Sequence, residues 1–454
     1  MSTKLSAADS NSSDRYRVVG AVGATGMIVA SMVGSGIFSL TGSFGAEVAT
    51  PTNLIVPWIL GGILALCGGL ALAELGAMIP CSGGSIEFAR RAFGSTTGYL
   101  VAMVTILSGY ILSIAVVGLF LAEYVDNLFD ADVSDHTVAV IAILVAFASQ
   151  LPGLPAGFAF NTALSIVKIG FVALFVIAGL YWPVESRLVA TAAATTDAPG
   201  MFSPAVANAT LAVSFAYLGW STGADIAGDI RKPGRNVPLS IIASIALVFV
   251  LYVGVNFVYL RVIDPLAMTD GNGGPMKAIG GVAAKLLFGE SIGALMGAVI
   301  ALLLFSTVTS GLITGARILE SMAQAREIPA YFGVRRTNGV PLRGLVLITV
   351  TSLAALAIGL LGDILDMLTV LVNVFSSLSV AAVIVLRVTM KDAPRPFRVP
   401  LYPITPIVYL ALAGWSIVAS VQSGGAKAIV ASVITVALLL VLRFTFLHPR
   451  KTNS

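Results

Sequence analysis

The sequence predicts an all-α membrane protein of twelve transmembrane helices, and three observations carry that prediction. Of 454 residues, 57% are hydrophobic and 11% are charged, about half the charged share of an ordinary soluble domain. Apolar runs of about 20 residues, the length of a bilayer-spanning helix, recur from Val18 to Phe446. Lysine and arginine gather in alternate connections between those runs, as the positive-inside rule requires of a chain with an even number of crossings.

The elements follow in order. Residues 1–17, MSTKLSAADSNSSDRYR, lack the apolar stretch of a cleavable signal peptide and read as a disordered cytoplasmic tail. Span one, 18–46, is interrupted at Gly34-Ser35-Gly36, and span two is 53–79. A connection with Arg90 and Arg91 leads to span three, 95–125, which exceeds the hydrocarbon thickness and so tilts or extends into the cytoplasm. An acidic connection (Glu123, Asp126, Asp130, Asp132, Asp135) precedes span four at 137–152, and span five at 157–182 carries Lys168 near its middle. Span six, 204–228, crowds Ser214, Gly219, Ser221, Thr222 and Gly223 together before the basic RKPGR, and span seven is 237–262. Span eight, 288–324, is overlong like span three, and Arg326, Arg335, Arg336 and Arg343 lie between it and span nine, 342–361. Span ten is 364–388, followed by Arg387, Lys391, Arg395 and Arg398; spans eleven and twelve are 403–422 and 427–447, with a tail at 448–454. With twelve spans every basic cluster falls on one side. The chain is therefore read as a multi-pass cell-membrane protein with both termini cytoplasmic.

Several function classes drop out. Two cysteines (Cys67, Cys81) and two histidines (His136, His448) supply neither a disulfide framework nor a metal centre, so no cofactor or metal is expected. The net charge of +4 is spread over membrane-flanking loops and does not point to nucleic acid; those basic loops face anionic lipid instead. Neither G-x-S-x-G nor H-E-x-x-H occurs, mid-span aspartate pairs are missing, and no filter-like loop repeats, so neither an enzyme nor a channel is expected.

The interruptions point to function. Glycine weakens a helix by roughly 1 kcal/mol relative to alanine, and non-helical backbone persists in a bilayer only where it lines a cavity or binds something. VGSGIF read alone serves equally as a close-packing face. LAVSFAYLGWSTGADIAGD, 211–229, breaks the sixth span, and spans one and six head two successive sets of five. Interruptions in corresponding positions of two halves mark a transporter site. Half-helix N-termini there offer N–H groups to a carboxylate, and freed carbonyls receive an ammonium.

VGSGIF, AELGAMIPCSGGSIEFARRAFG (73–94), FAYLGWSTGADIAGDIRKPGRNVPLSI (215–241), REIPAYF (326–332) and RPFRVPLYPITPI (395–407) resemble, in this order, the amino acid–polyamine–organocation (APC) superfamily of permeases over nearly the whole chain. The resemblance implies a leucine-transporter-like fold: inverted five-helix repeats at 18–182 and 204–388, with helices eleven and twelve at 403–447 behind them. It also implies alternating access around a midplane site. Carried over by position, the carboxylate grip is Ser35, Gly36 and Ile37, and the amine meets carbonyls near Met32 and Phe215. Phe215 resembles an aromatic gate on the outer side, and Leu218 and Gly219 border the substrate side chain. Ser108, Gly109 and Ser113 fall where relatives contact the distal part of the substrate, although interhelical hydrogen bonding explains the two serines as well. Gly311 falls where some cationic-amino-acid antiporters carry a tryptophan, and the absence of that ring here opens the pocket.

Lys168 lies too deep in span five to snorkel. It resembles a family lysine whose ammonium lies against the break in span one, where sodium-coupled relatives of the fold hold sodium. Sodium independence follows, with the lysine either coupling a proton or standing as a fixed charge in an exchanger. Asp225 and Asp229 read as a gate ion pair or helix-end groups, and Glu74 and Glu87 as intracellular gate pieces paired with arginines, with Arg317 another candidate. Several dibasic-substrate carriers place a glutamate where this chain has Ser221. The expected substrate is therefore a neutral amino acid, with a cationic amino acid or polyamine antiporter, or a non-transporting sensor on the same fold, as alternatives.

Overall fold

The computed structural model describes residues 17, 19–81, 83–129, 133–152, 154–189, 199–269, 273–358, 361–420, 422 and 426–446, with backbone alone at 129, 154–165, 361–365, 426 and 446. Both predicted tails (but for Arg17) and the predicted acids Asp130 and Asp132 lie outside these residues.

Helices fall on the apolar runs, with ends a few residues from those read in the sequence. Two of them, α1 (Ala21–Met32) and α2 (Gly36–Val48), divide the first run. Thr50 caps α3 (Pro51–Met78) by accepting from the Asn53 amide, with Pro51 at the first helical position, where its missing N–H costs nothing. A short helix α4 (Gly84–Phe93) turns at Gly94 into α5 (Ser95–Ile106), which passes through a π turn at Leu107–Leu112 into α6 (Ser113–Phe129). Next come α7 (Asp135–Gln150), capped by Ser134, and α8 (Leu154–Tyr181). Ser203 caps α9 (Pro204–Ala216), and a turn at residues 217–221 separates it from the one-turn α10 (Thr222–Asp225). The long α11 (Pro233–Val262) is followed by α12 (Ile279–Phe288), which turns at Gly289 into α13 (Glu290–Gln324). The remainder is α14 (Leu342–Ile358), α15 (Leu361–Thr389), α16 (Ile404–Ser420) and α17 (Ala426–Phe446). Among the described residues, seven helical stretches are long and apolar enough to cross a membrane, joined by shorter apolar helices such as α7, α9, α14 and α16. β-structure among them is limited to isolated bridges.

Packing divides the helices into two groups. In one, α11 lies against α1 and α3, and α9 against α2 and α3; in the other, α13 lies against α6, α7, α12 and α14. Helices α8 and α15 touch both groups. The strand-like residue Val19 pairs with the segment after α10, its amide donating to the Asp229 carbonyl at 3.0 Å and its carbonyl accepting from Arg231 at 2.8 Å. The start of α1 is thereby tied to the end of α10.

Candidate functional site

The two interruptions lie against each other. Val33 leaves the helix with ψ 95°, and α2 restarts at Gly36. A Cβ on Gly36 would stand 2.6 Å from Ala216 Cβ and 2.8 Å from its Cα, so only glycine fits there. Gly219 has φ +108°, and a Cβ on it would lie 2.7 Å from the Ser31 carbonyl carbon. Ser31 Oγ sits 3.0 Å from Thr222 Oγ1 and donates to the Ile28 carbonyl at 2.8 Å. Four helix ends thus meet at one place. The second break is shorter than the crowded sequence suggested: Phe215 is still helical, and the turn occupies only residues 217–221.

Polar backbone gathers around these ends. The amides of Ser35, Gly36 and Ile37 stand at the N-terminus of α2, where a helix has no carbonyl of its own to offer them. On the other side, the Tyr252 hydroxyl shares its hydrogen between the carbonyls of Met32 (2.7 Å) and Ala216 (3.0 Å). Tyr259 donates to the Ile37 carbonyl at 3.1 Å, and Thr41 donates to Asn256 Oδ1 at 2.6 Å. Tyr252, Asn256 and Tyr259 were missed in the sequence. Their spacing of i, i+4 and i+7 inside an apolar run puts them on one face of α11, and that was the available signal. The arrangement suits a small zwitterion, with an anion on the amide side and a cation on the carbonyl side.

The remaining predicted residues are placed as follows. Ser35 and Phe215 are buried, and the Phe215 carbonyl accepts from the Leu218 amide at 3.0 Å. Met32 differs from the expectation of a carbonyl waiting for an amine, because Tyr252 already engages it. Leu218 lines a small cavity together with Gly61, Ala65, Asn373 and Tyr409. Ser108 donates to the Val104 carbonyl of its own helix at 2.6 Å, while Gly109 and Ser113, at the π turn, are half-buried. Gly311 does not open the pocket: a Cβ there would lie 3.1 Å from Ile114 Cγ1, so α6 already fills the space.

Lys168 is 5% exposed, and its ammonium donates to Thr307 Oγ1 of α13 at 3.1 Å. The expected partner was the break in the first run; the hydrogen bond goes instead to the second group of helices, while α8 itself also packs on α1. Asp225 takes the helix-end role rather than an ion pair. Its Oδ1 accepts from the Ser85 amide (2.9 Å) and hydroxyl (2.6 Å), and its carbonyl accepts from Gly83 (2.7 Å), so α10 holds the N-terminus of α4. Glu74 is fully buried and accepts from Arg387 (2.9 and 2.5 Å), Arg395 (2.9 Å) and the Val399 amide (2.7 Å). Glu87 pairs with Arg90 at 3.0 Å and Arg91 at 2.8 Å, and Arg90 also reaches Glu327. At the other end of the molecule, Lys277 joins Glu123 (3.0 Å) and Asp135 (3.1 Å). Partial burial opposes its charge, but the two carboxylates outweigh that and hold its pKa above the ordinary lysine value.

Apolar helices, two of them broken against each other, define a multi-pass membrane protein. The chain belongs to the amino acid permease family, whose model matches residues 19–442; it is a permease rather than an enzyme. It is similar to the serine/threonine exchanger SteT of Bacillus subtilis (strain 168), 27% identical over 403 residues, 87% of this chain and 89% of that protein. It is also similar to b(0,+)-type amino acid transporter 1 of Mus musculus, 25% identical over 445 residues, 95% and 88% of the two chains. Large neutral amino acids transporter small subunit 2 of Homo sapiens is 27% identical over 424 residues, 89% and 76% of the two chains.

Proposed function

We propose that this chain is a secondary-active transporter of a neutral amino acid, working by alternating access without sodium, by proton symport or by exchange. The observation that carries the reading is the meeting of the two helix breaks, Gly36 against Ala216 and Gly219 against Ser31. Ser35, Gly36 and Ile37 take the substrate carboxylate. Its ammonium goes to the carbonyl side at Met32 and Phe215, with the Tyr252 hydroxyl yielding or sharing its acceptor, and Phe215 closes over it.

Twelve spans in two inverted sets of five, with two helices behind, give the frame, both termini being cytoplasmic. A repeated segment supports the two sets. Ala89, Phe93, Gly94 and Gly98 match Ala284, Phe288, Gly289 and Gly293 in spacing, and Arg90 matches Lys285. Gly94 and Gly289 turn alike, at φ +92° and +83°. Gly98 abuts Arg90 as Gly293 abuts Lys285. In alternating access the group of α1, α3, α9 and α11 rocks against the group of α6, α7, α13 and α14. Lys168 spans that divide, its ammonium standing where a coupling cation would otherwise be needed, which is the reason to expect no sodium requirement.

A neutral substrate is favoured because Ser221 replaces an acid and the Asp225 carboxylate is spent on Ser85. A second ammonium would then be desolvated without a partner. Exchange is supported by the relative named as a serine/threonine exchanger. Symport is supported by a buried lysine whose hydrogen-bond partner is a hydroxyl rather than a carboxylate.

The test is counterflow in proteoliposomes in sodium-free buffer, screened with unlabelled amino acids and polyamines. Stimulation by neutral amino acids is expected. Stimulation only by dibasic compounds or only with sodium overturns the assignment, and binding without exchange marks a sensor.

A further inference from the structure

The connection from α13 into α14 carries Arg326, Arg335, Arg336 and Arg343, and their surroundings differ. Arg335 pairs with the buried Glu320, and the acid Glu327 is taken by Arg90. Arg326 and Arg336 are exposed and form no ion pair among the described residues. Arg343, in the first turn of α14, meets no carboxylate either. One of its N–H groups donates to the Tyr331 carbonyl at 2.8 Å, and its guanidinium lies 4.1 Å from the centre of the Tyr331 ring.

The helix below that arginine is two-faced. Leu345, Ile348, Thr349 and Ser352 are buried, whereas Val346, Val350, Ala354 and Ala357 are exposed. Steps of three and four residues put the exposed set on one face, and in an apolar helix of a membrane protein that face meets acyl chains. Arg343 precedes Val346 by three residues and so heads the same stripe at the rim of the membrane. Tyr331 stands beside it on a short helical turn, Ala330–Gly333. Its ring is 60% exposed and meets the half-buried Phe332 edge-on at 5.3 Å. A planar guanidinium backed by an aromatic face, with the rest of its N–H fork unspent on the protein, is suited to a phosphate.

We propose that Arg343 and Tyr331 form a seat for the phosphate of an anionic phospholipid whose acyl chain lies along the stripe from Val346 to Ala357. The positive charge of Arg326, Arg336 and Arg343 has no acid of its own to neutralise it, which favours a headgroup with a net negative charge over a zwitterionic one. The apolar stripe directly below the arginine favours a lipid over a free phosphate. On the proposed topology this rim is cytoplasmic. The seat lies outside the substrate site, and its test needs no transport.

The test is native mass spectrometry of the full chain, delipidated in detergent and titrated with phosphatidylglycerol or phosphatidylcholine. Phosphatidylglycerol should bind in preference. Arg343→Gln is expected to weaken that binding about fivefold or more, the factor to which about 1 kcal/mol per basic residue converts. Tyr331→Ala removes only an exposed ring and should weaken it as well, which keeps the proposal testable if Arg343→Gln does not fold. Lys391→Gln, at an exposed basic residue of another connection, should leave it unchanged. Equal binding of the two lipids, full retention in Arg343→Gln, or an equal loss in Lys391→Gln overturns the seat. Displacement of phosphatidylglycerol by excess glycerol phosphate overturns the lipid assignment in favour of a free phosphate.

Discussion

Gly34 and Gly36 flank the same serine in VGSGIF, yet their surroundings differ. The nearest atom to a Cβ on Gly34 is the Met32 carbonyl oxygen at 4.0 Å, whereas a Cβ on Gly36 runs into Ala216 at 2.6 Å. Gly36→Ala must push two helix ends apart, at a cost of about 1–3 kcal/mol for overpacking, and should abolish counterflow; Gly34→Ala should retain it. Equal loss in both would mean that the break itself, rather than the close approach, is what matters. Tyr252→Phe leaves the Met32 and Ala216 carbonyls short of a buried donor, a cost of about 1–3 kcal/mol. It should lower the melting temperature in detergent and raise KM for the transported amino acid. The first interruption was legible residue by residue because glycine and serine inside an apolar run have few other uses. Tyr252 was not, since a tyrosine in an apolar run reads as packing until the carbonyls it meets are known. Lys168 was legible as a buried charge, but its partner Thr307 is one hydroxyl among many in the apolar runs.

At the scale of elements, α10 is seated on the N-terminus of α4. Asp225→Ala removes the acceptor for the Ser85 amide and hydroxyl, an N-terminal cap worth about 0.5–2 kcal/mol. Cys81 reports on that junction, because its carbonyl accepts from Gly228 at 3.3 Å. Burial, with the neighbouring Glu87, pushes its thiol up to about 11, so near neutral pH it is almost wholly protonated and slow to react. In a Cys67→Ser background, Asp225→Ala should speed thiol labelling of Cys81 and shift the pH profile of labelling downward. An unchanged profile would show that α10 does not hold this junction closed. The long runs were legible by length and hydropathy. The short helices α4 and α12 were not read as elements, because ten residues fall well below the spanning length. The π turn at Leu107–Leu112 also left no mark in a continuous apolar run.

For the molecule as a whole, the repeated segment around Gly94 and Gly289 is what supports the proposed pair of inverted halves. Arg90 sits in a cluster with Glu87 and Glu327, while Lys285 lies 3.4 Å from Glu290. Gly98→Ala and Gly293→Ala press on the equivalent residues, Arg90 and Lys285. Each should destabilise the protein by a similar amount, about 1–3 kcal/mol, read as matched drops in melting temperature; an effect in only one half would argue against equivalent roles. The two segments are far apart in the chain and straddle the starts of spans three and eight rather than the two broken runs, so topology alone suggested the two halves. The substrate site is tested most directly at Gly34, which has room for a side chain. In a protein whose only cysteine is Gly34→Cys, neutral amino acids that drive counterflow should slow thiol labelling at that position, and amino acids that do not drive it should leave labelling unchanged. Labelling that is indifferent to a saturating concentration of a driving amino acid would contradict a substrate site between the two breaks.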